Sequence, residues 1–170
     1  MSLSIKDINA RHDDEFVETL GGIYEHSPWV ARRVVDQKPF ATREHLHSSM
    51  AEAMHQSSRD QRMELLCRHP ELAGKEAAEG SLTDDSRREQ AGAGLNQCSR
   101  QELDRIADLN QRYRDRFDFP FIIAVTGLDK YQIMAAMEKR LTNGIEQEFE
   151  TALQEVEKIA LIRLCALISE

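Results

Sequence analysis

Apolar residues recur at steps of three and four along most of this chain, the period of a helix with one buried face. Leu46, Met50, Ala53 and Met54 form such a stripe behind Thr42, a residue type that caps helix starts. Met63, Leu66 and Cys67 make the inward side of the next helix. Leu103, Ile106, Leu109, Tyr113 and Phe117 follow a capping box at Ser99-Arg100-Gln101-Glu102. Asp129 opens a helix with Ile133, Met137 and Leu141 inward, closed by Asn143-Gly144. The final stripe is Ile145, Phe149, Ala152, Val156, Ile159 and Leu167. Nearer the start, Asp13-Asp14-Glu15 put acid at the head of a helix that Gly21-Gly22 close. Pro28 then leads a short helix with Trp29, Val30 and Val34 on its buried side. Glu76 to Ser81 is a small-residue connector.

One run departs from this period. Phe119-Pro120-Phe121-Ile122-Ile123-Ala124-Val125 looks like a strand, but Pro120 and the lack of a second strand candidate argue against a sheet. It is expected as an extended buried segment. The pattern predicts an all-α fold, and the length a single domain over residues 1–170.

A net charge of −8 argues against nucleic acid and anionic membrane as partners, since both require a basic face. No apolar run reaches the roughly 18–20 residues that span a bilayer. The first residues lack the apolar core of a signal peptide, and Leu167-Ile168-Ser169-Glu170 is not a peroxisomal address. Cys67, Cys98 and Cys165 share no metal-ligand spacing, so buried or inert thiols in a reducing cytoplasm are expected.

The candidate chemistry centres on His69. It leaves a helix directly before Pro70, which bars helix continuation and pushes His69 toward an extended conformation. A histidine held there either faces water in a loop or points into a cavity and exchanges protons. Ser86-Arg87-Arg88-Glu89-Gln90 is either another capping box or a site segment, in which Glu89 orients His69 and the Gln90 amide binds a polar ligand. Arg163 falls on the core-facing stripe of the last helix. It either snorkels at the stripe's edge or holds an anion, for which a ligand carboxylate is the natural counter-charge. Phe121 to Val125 either packs the core or walls a flat heterocycle. Glu44-His45-Leu46-His47 is a poor metal site, because positions two apart diverge on a helix. His12, His26 and His55 have no evident partners. A histidine, a carboxylate, amides and a guanidinium suit proton transfer on a small anion, with neither metal nor organic cofactor.

Taken in order, His69-Pro70-Glu71-Leu72-Ala73-Gly74-Lys75, then Ser86 with Glu89-Gln90, then Phe117-Asp118-Phe119-Pro120-Phe121-Ile122-Ile123 resemble the signature segments of the OHCU decarboxylase family. OHCU is 2-oxo-4-hydroxy-4-carboxy-5-ureidoimidazoline. Tyr24-Glu25-His26-Ser27-Pro28-Trp29, Leu141-Thr142-Asn143 and Glu155 through Leu164 extend the resemblance to about residues 22–167. It implies an all-α, single-domain multi-helix bundle with a ligand pocket between helices, a homodimer that converts OHCU to (S)-allantoin in urate breakdown, without a cofactor. His69 is then the catalytic acid/base, acting at the hydroxyl–carboxyl carbon and returning a proton to it. Glu89 orients His69, and Arg163 binds an anionic or carbonyl group. Pro70, Ser86, Arg87, Arg88, Glu89, Gln90, Phe121, Ile122, Ile123, Ala124 and Val125 line the substrate pocket. A non-catalytic helical sensor of a ureido-imidazoline, or a purely structural helical partner, are the other classes to weigh.

Overall fold

A computed structural model describes residues 2–170; Met1 lies outside the described residues. It is all-α. Among the described residues there is no strand, only a single parallel bridge between Leu3 and Ile168. The segments cluster into two compact units, Met1–Arg68 with Glu157–Glu170, and His69–Val156.

The first unit holds α1 (Ile5–Ala10), α2 (Asp13–Leu20), α3 (Trp29–Val34), α4 (Arg43–His55), α5 (Arg59–Cys67) and the end of α10 (Ile145–Leu167). Local chemistry starts these helices. Ser4 with Asp7 and Ser58 with Gln61 form reciprocal capping boxes, and the Thr42 hydroxyl accepts from the His45 N–H. Ile8, Phe16, Leu20, Val30, Val34, Leu46, Met50 and Met54 are buried. Phe16 and Phe40 stack with centroids 6.0 Å apart. Asn9 fixes Phe40 by donating to its carbonyl at 2.9 Å and accepting from its N–H at 2.8 Å.

The second unit holds α6 (Lys75–Glu79), α7 (Asp84–Gly92), α8 (Arg100–Phe117), α9 (Lys130–Arg140) and the first part of α10. Its core is built on Tyr113, whose ring lies 4.6, 5.7 and 5.3 Å from those of Phe117, Phe119 and Phe121. Phe149 closes on Phe119 at 6.3 Å. Each such ring, fully buried, contributes roughly 1.5–3 kcal/mol. Residues 119–125 are extended and largely buried, as the sequence pattern predicts.

Several expectations are corrected. Residues 75–79 form α6, with Gly80 in the left-handed conformation at its end, where a plain connector is expected. The buried side of α5 is Leu65 and Leu66, while Cys67, on its last turn, is exposed. Cys165 is exposed as well, so two of the three thiols are not buried. Leu103 and Ile145, near the starts of their helices, are 40% and 55% exposed rather than buried. Trp29 is half-buried and carries the Arg33 guanidinium 4.6 Å from its ring centroid. No helix among the described residues is long and apolar enough to cross a membrane.

Candidate active site

His69 is the first residue of the second unit. α5 ends at Cys67, Arg68 caps it, and Pro70 prevents another turn, so the imidazole leaves the helix and is 8% exposed. The side chain does not face water, as the loop alternative would have it. The backbone after it is tightly held. Ala73 adopts φ +48°, which is unfavourable for a residue with a Cβ. Its N–H donates to the Gln90 Oε1 at 3.0 Å, and the Leu72 carbonyl accepts from the Asn110 Nδ2 at 3.0 Å. Glu71 pairs with Arg114. Burial pushes the Glu71 carboxyl above the usual carboxylate range, against the pull of Arg114. A Cβ on Gly74 would meet the Glu71 Cβ at 2.6 Å, so the turn accepts only glycine there without shifting.

The cap of α7 is Thr83, whose hydroxyl accepts from the Ser86 N–H at 3.2 Å. Ser86 is thus inside the first turn, not at a cap, and the capping-box alternative for Ser86 and Glu89 is set aside. Ser86 and Gln90 are four positions apart, and both are buried. Glu89 beside them is half-buried. Because Oε1 of Gln90 serves the backbone of Ala73, its amide presents N–H donors to anything else. Gln90 and Arg87 line a cavity of about 270 Å³ with Ala77, Leu82, Ala91 and Leu95. Arg87 and Arg88 themselves are turned outward and pair with Asp84 and Asp85.

Residues 121–125 are positioned by charged side chains that the sequence pattern does not single out. Arg140 donates to the Ile122 carbonyl at 2.6 Å and lies 4.3 Å from the Phe121 ring centroid. The Ala124 N–H donates to Glu155 at 3.2 Å. Arg140 is neutralised by Glu148, which has no exposed surface and also accepts from the Tyr113 hydroxyl at 2.6 Å and from Asn143 at 2.9 Å. Burial together with the Glu148 bond pushes the Tyr113 hydroxyl far above the ordinary phenol range. Phe121, Ile122 and Val125 are buried; Ile123 and Ala124 are half-buried, and Pro70 is as well.

Arg163 belongs to the first unit and is 6% exposed. Its counter-charge is a residue of the chain, not a ligand: Nη2 lies 2.7 Å from Glu25, itself 1% exposed, and Nη1 donates to the Gly22 carbonyl at 3.2 Å. His55 also gains a partner, Glu157. Among the described residues no group of three or more His, Cys, Asp or Glu is arranged to hold a metal ion.

The fold is that of an all-helical protein with a histidine buried at a helix exit, on a backbone held by the glutamine-bearing α7 and by α8. The model of the family described as OHCU decarboxylase matches residues 9–165. The chain belongs to the OHCU decarboxylase family. A 2-oxo-4-hydroxy-4-carboxy-5-ureidoimidazoline decarboxylase of Haloferax volcanii is 41% identical over 98% of this chain and 97% of its own. The uric acid degradation bifunctional protein PucL of Bacillus subtilis is 38% identical over 98% of this chain, which matches 33% of that longer protein. A crystal structure of (S)-allantoin synthase superposes with a TM-score of 0.78 at 38% identity, covering 98% of this chain; this chain spans about half, 54%, of that one.

Proposed function

We propose that this protein decarboxylates OHCU to (S)-allantoin in urate breakdown, with the whole chain acting as one catalytic domain. It is a carboxy-lyase. The substrate's own structure supplies the electron sink, so no cofactor is called for. Carbon 4 carries the hydroxyl and the carboxylate, and its neighbour carbon 5 is doubly bonded to a ring nitrogen. When the bond to CO2 breaks, its electron pair forms a double bond between carbons 4 and 5, and the former imine pair moves to nitrogen, which takes a proton. The resulting enol loses its hydroxyl proton to become the carbonyl of allantoin, while carbon 5 takes a proton. In sum, carboxylate and one proton become allantoin and CO2. The stereocentre is carbon 5, so the proton returns to that carbon, next to the one that lost CO2.

In this scheme His69 moves the proton, Glu89 orients His69, and Gln90 donates to a substrate oxygen. Arg163, whose charge is met by Glu25 within the first unit, is given no substrate contact in this scheme. Pro70, Ser86 and residues 121–125 wall the pocket, with Arg87 and Arg88 contributing through their helix. A reducing cytoplasm and a two-fold homodimer complete the proposal; three free cysteines fit the former. The observation that carries it is His69, buried at a helix exit on a backbone held from two other helices. A proton donor held to one face is what converts a symmetric decay into a stereospecific one.

The test is the optical activity of allantoin made from freshly generated OHCU. Wild type is expected to give (S)-allantoin rapidly. His69→Ala is expected to leave only the slow racemic background, since one positioned acid/base contributes roughly 10²–10⁴-fold. A folded wild type that alters neither rate nor chirality would refute the assignment.

A further inference from the structure

Asn110 is a polar residue on the buried face of α8, between Ile106, Leu109 and Tyr113, and is 4% exposed. Leucine would fill such a place without loss of hydration. Instead the amide is desolvated, and its Oδ1 has no hydrogen-bond partner. Its side-chain hydrogen bond runs from Nδ2 to the Leu72 carbonyl at 3.0 Å. Leu72 is three residues beyond His69, and the next residue, Ala73, is held in its strained conformation by Gln90. Carbonyl and N–H of successive residues are thus gripped from two different helices, and Pro70 fixes one of the backbone dihedrals between the grip and the imidazole. We infer that Asn110 is a positioning residue: it fixes the backbone that aims His69, and so acts on the proton-transfer step without touching substrate. The inference rests on the decarboxylase reading for its effect on rate, and on geometry alone for its effect on His69.

Asn110→Leu keeps the branched shape and removes the donor; Asn110→Ser serves should the larger leucine fail to fold. Two measurements are made on wild type and variant. One is steady-state kinetics on freshly generated OHCU. The other is the ¹H–¹³C spectrum of the Cε1–H groups of the six histidines, with His69 assigned from His69→Ala. An imidazole displaced by about an ångström costs on the order of 10–100-fold in kcat. The expected result is that loss, with KM within about threefold of wild type, because ground-state binding is untouched. The His69 resonance moves, and the other five hold. An unchanged kcat in a folded variant overturns the inference, and so does a His69 resonance that stays in place, whatever happens to the rate. If wild type itself has no activity on OHCU, the decarboxylase reading fails. The His69 resonance alone then decides the positioning claim: movement supports it, and none overturns it.

Discussion

Arg163 and Glu25 form a buried ion pair at 2.7 Å, with both side chains almost entirely removed from water. Desolvating two charges costs several kcal/mol, which their attraction offsets only while both are present. Glu25→Ala therefore leaves an uncompensated guanidinium and is expected to destabilise the fold by about 3–5 kcal/mol. Glu25→Gln with Arg163→Met is expected to recover much of that loss. Urea denaturation of the single and double variants checks it. A double variant no more stable than Glu25→Ala would show that the pair is not what holds these helices.

Glu148 is a second buried carboxylate with a different partner set. Tyr113→Phe removes one of its donors and should cost about 1–2 kcal/mol in urea denaturation. Glu148→Gln leaves the Arg140 charge without its carboxylate and should cost about 3–5 kcal/mol. Because Arg140 also holds the Ile122 carbonyl, the Glu148→Gln protein that remains folded should show a raised KM.

On the surface, Glu102 accepts from Lys130 at 2.8 Å and from the Ser99 N–H at 2.8 Å. These bonds hold its carboxyl down at about 2, from an ordinary value of 4.5. A depressed carboxyl stabilises the fold above its unfolded value, and that contribution is lost as pH falls toward the folded one. The melting temperature of wild type should exceed that of Glu102→Gln by a constant margin above pH 5. The margin should shrink between about pH 4.5 and 2. A margin that persists at pH 2 would contradict the assignment.

Ala73 offers a test of backbone strain. Its φ of +48° costs an alanine about 1–2 kcal/mol, whereas glycine adds about 0.4–1 kcal/mol of unfolded-state entropy. Ala73→Gly should therefore be as stable as wild type or slightly more so. Ala73→Val, stiffened by its branched Cβ, should lose both stability and kcat. Thermal melts beside initial rates distinguish the two.

The helices were legible because their signals are local. Thr42, Ser99 and Asp129 cap within one turn, and apolar stripes such as Leu46-Met50-Met54 need only the helical period. α1 and α6 were not anticipated, because each is too short to carry a stripe. Among the candidate site residues, His69 and Gln90 are buried, which the sequence left open for the first and did not address for the second. Their supports were not visible. Glu25, Asn110, Glu148 and Glu155 find their partners through tertiary packing, which no spacing along the chain encodes. One signal was available: Asn110 falls at a core-facing position of the α8 stripe, and a polar residue there asks for a buried partner.

The Glu148 carboxylate gathers a hydroxyl from α8, a guanidinium from α9 and an amide from the turn before α10. Each of those donors is satisfactory only while the acid is present, and the acid is tolerable only while the donors are. Drift at Tyr113, Arg140, Asn143 or Glu148 is therefore not independent. A relative that replaces the acid is expected to have replaced the guanidinium as well, with the two changes inherited as one.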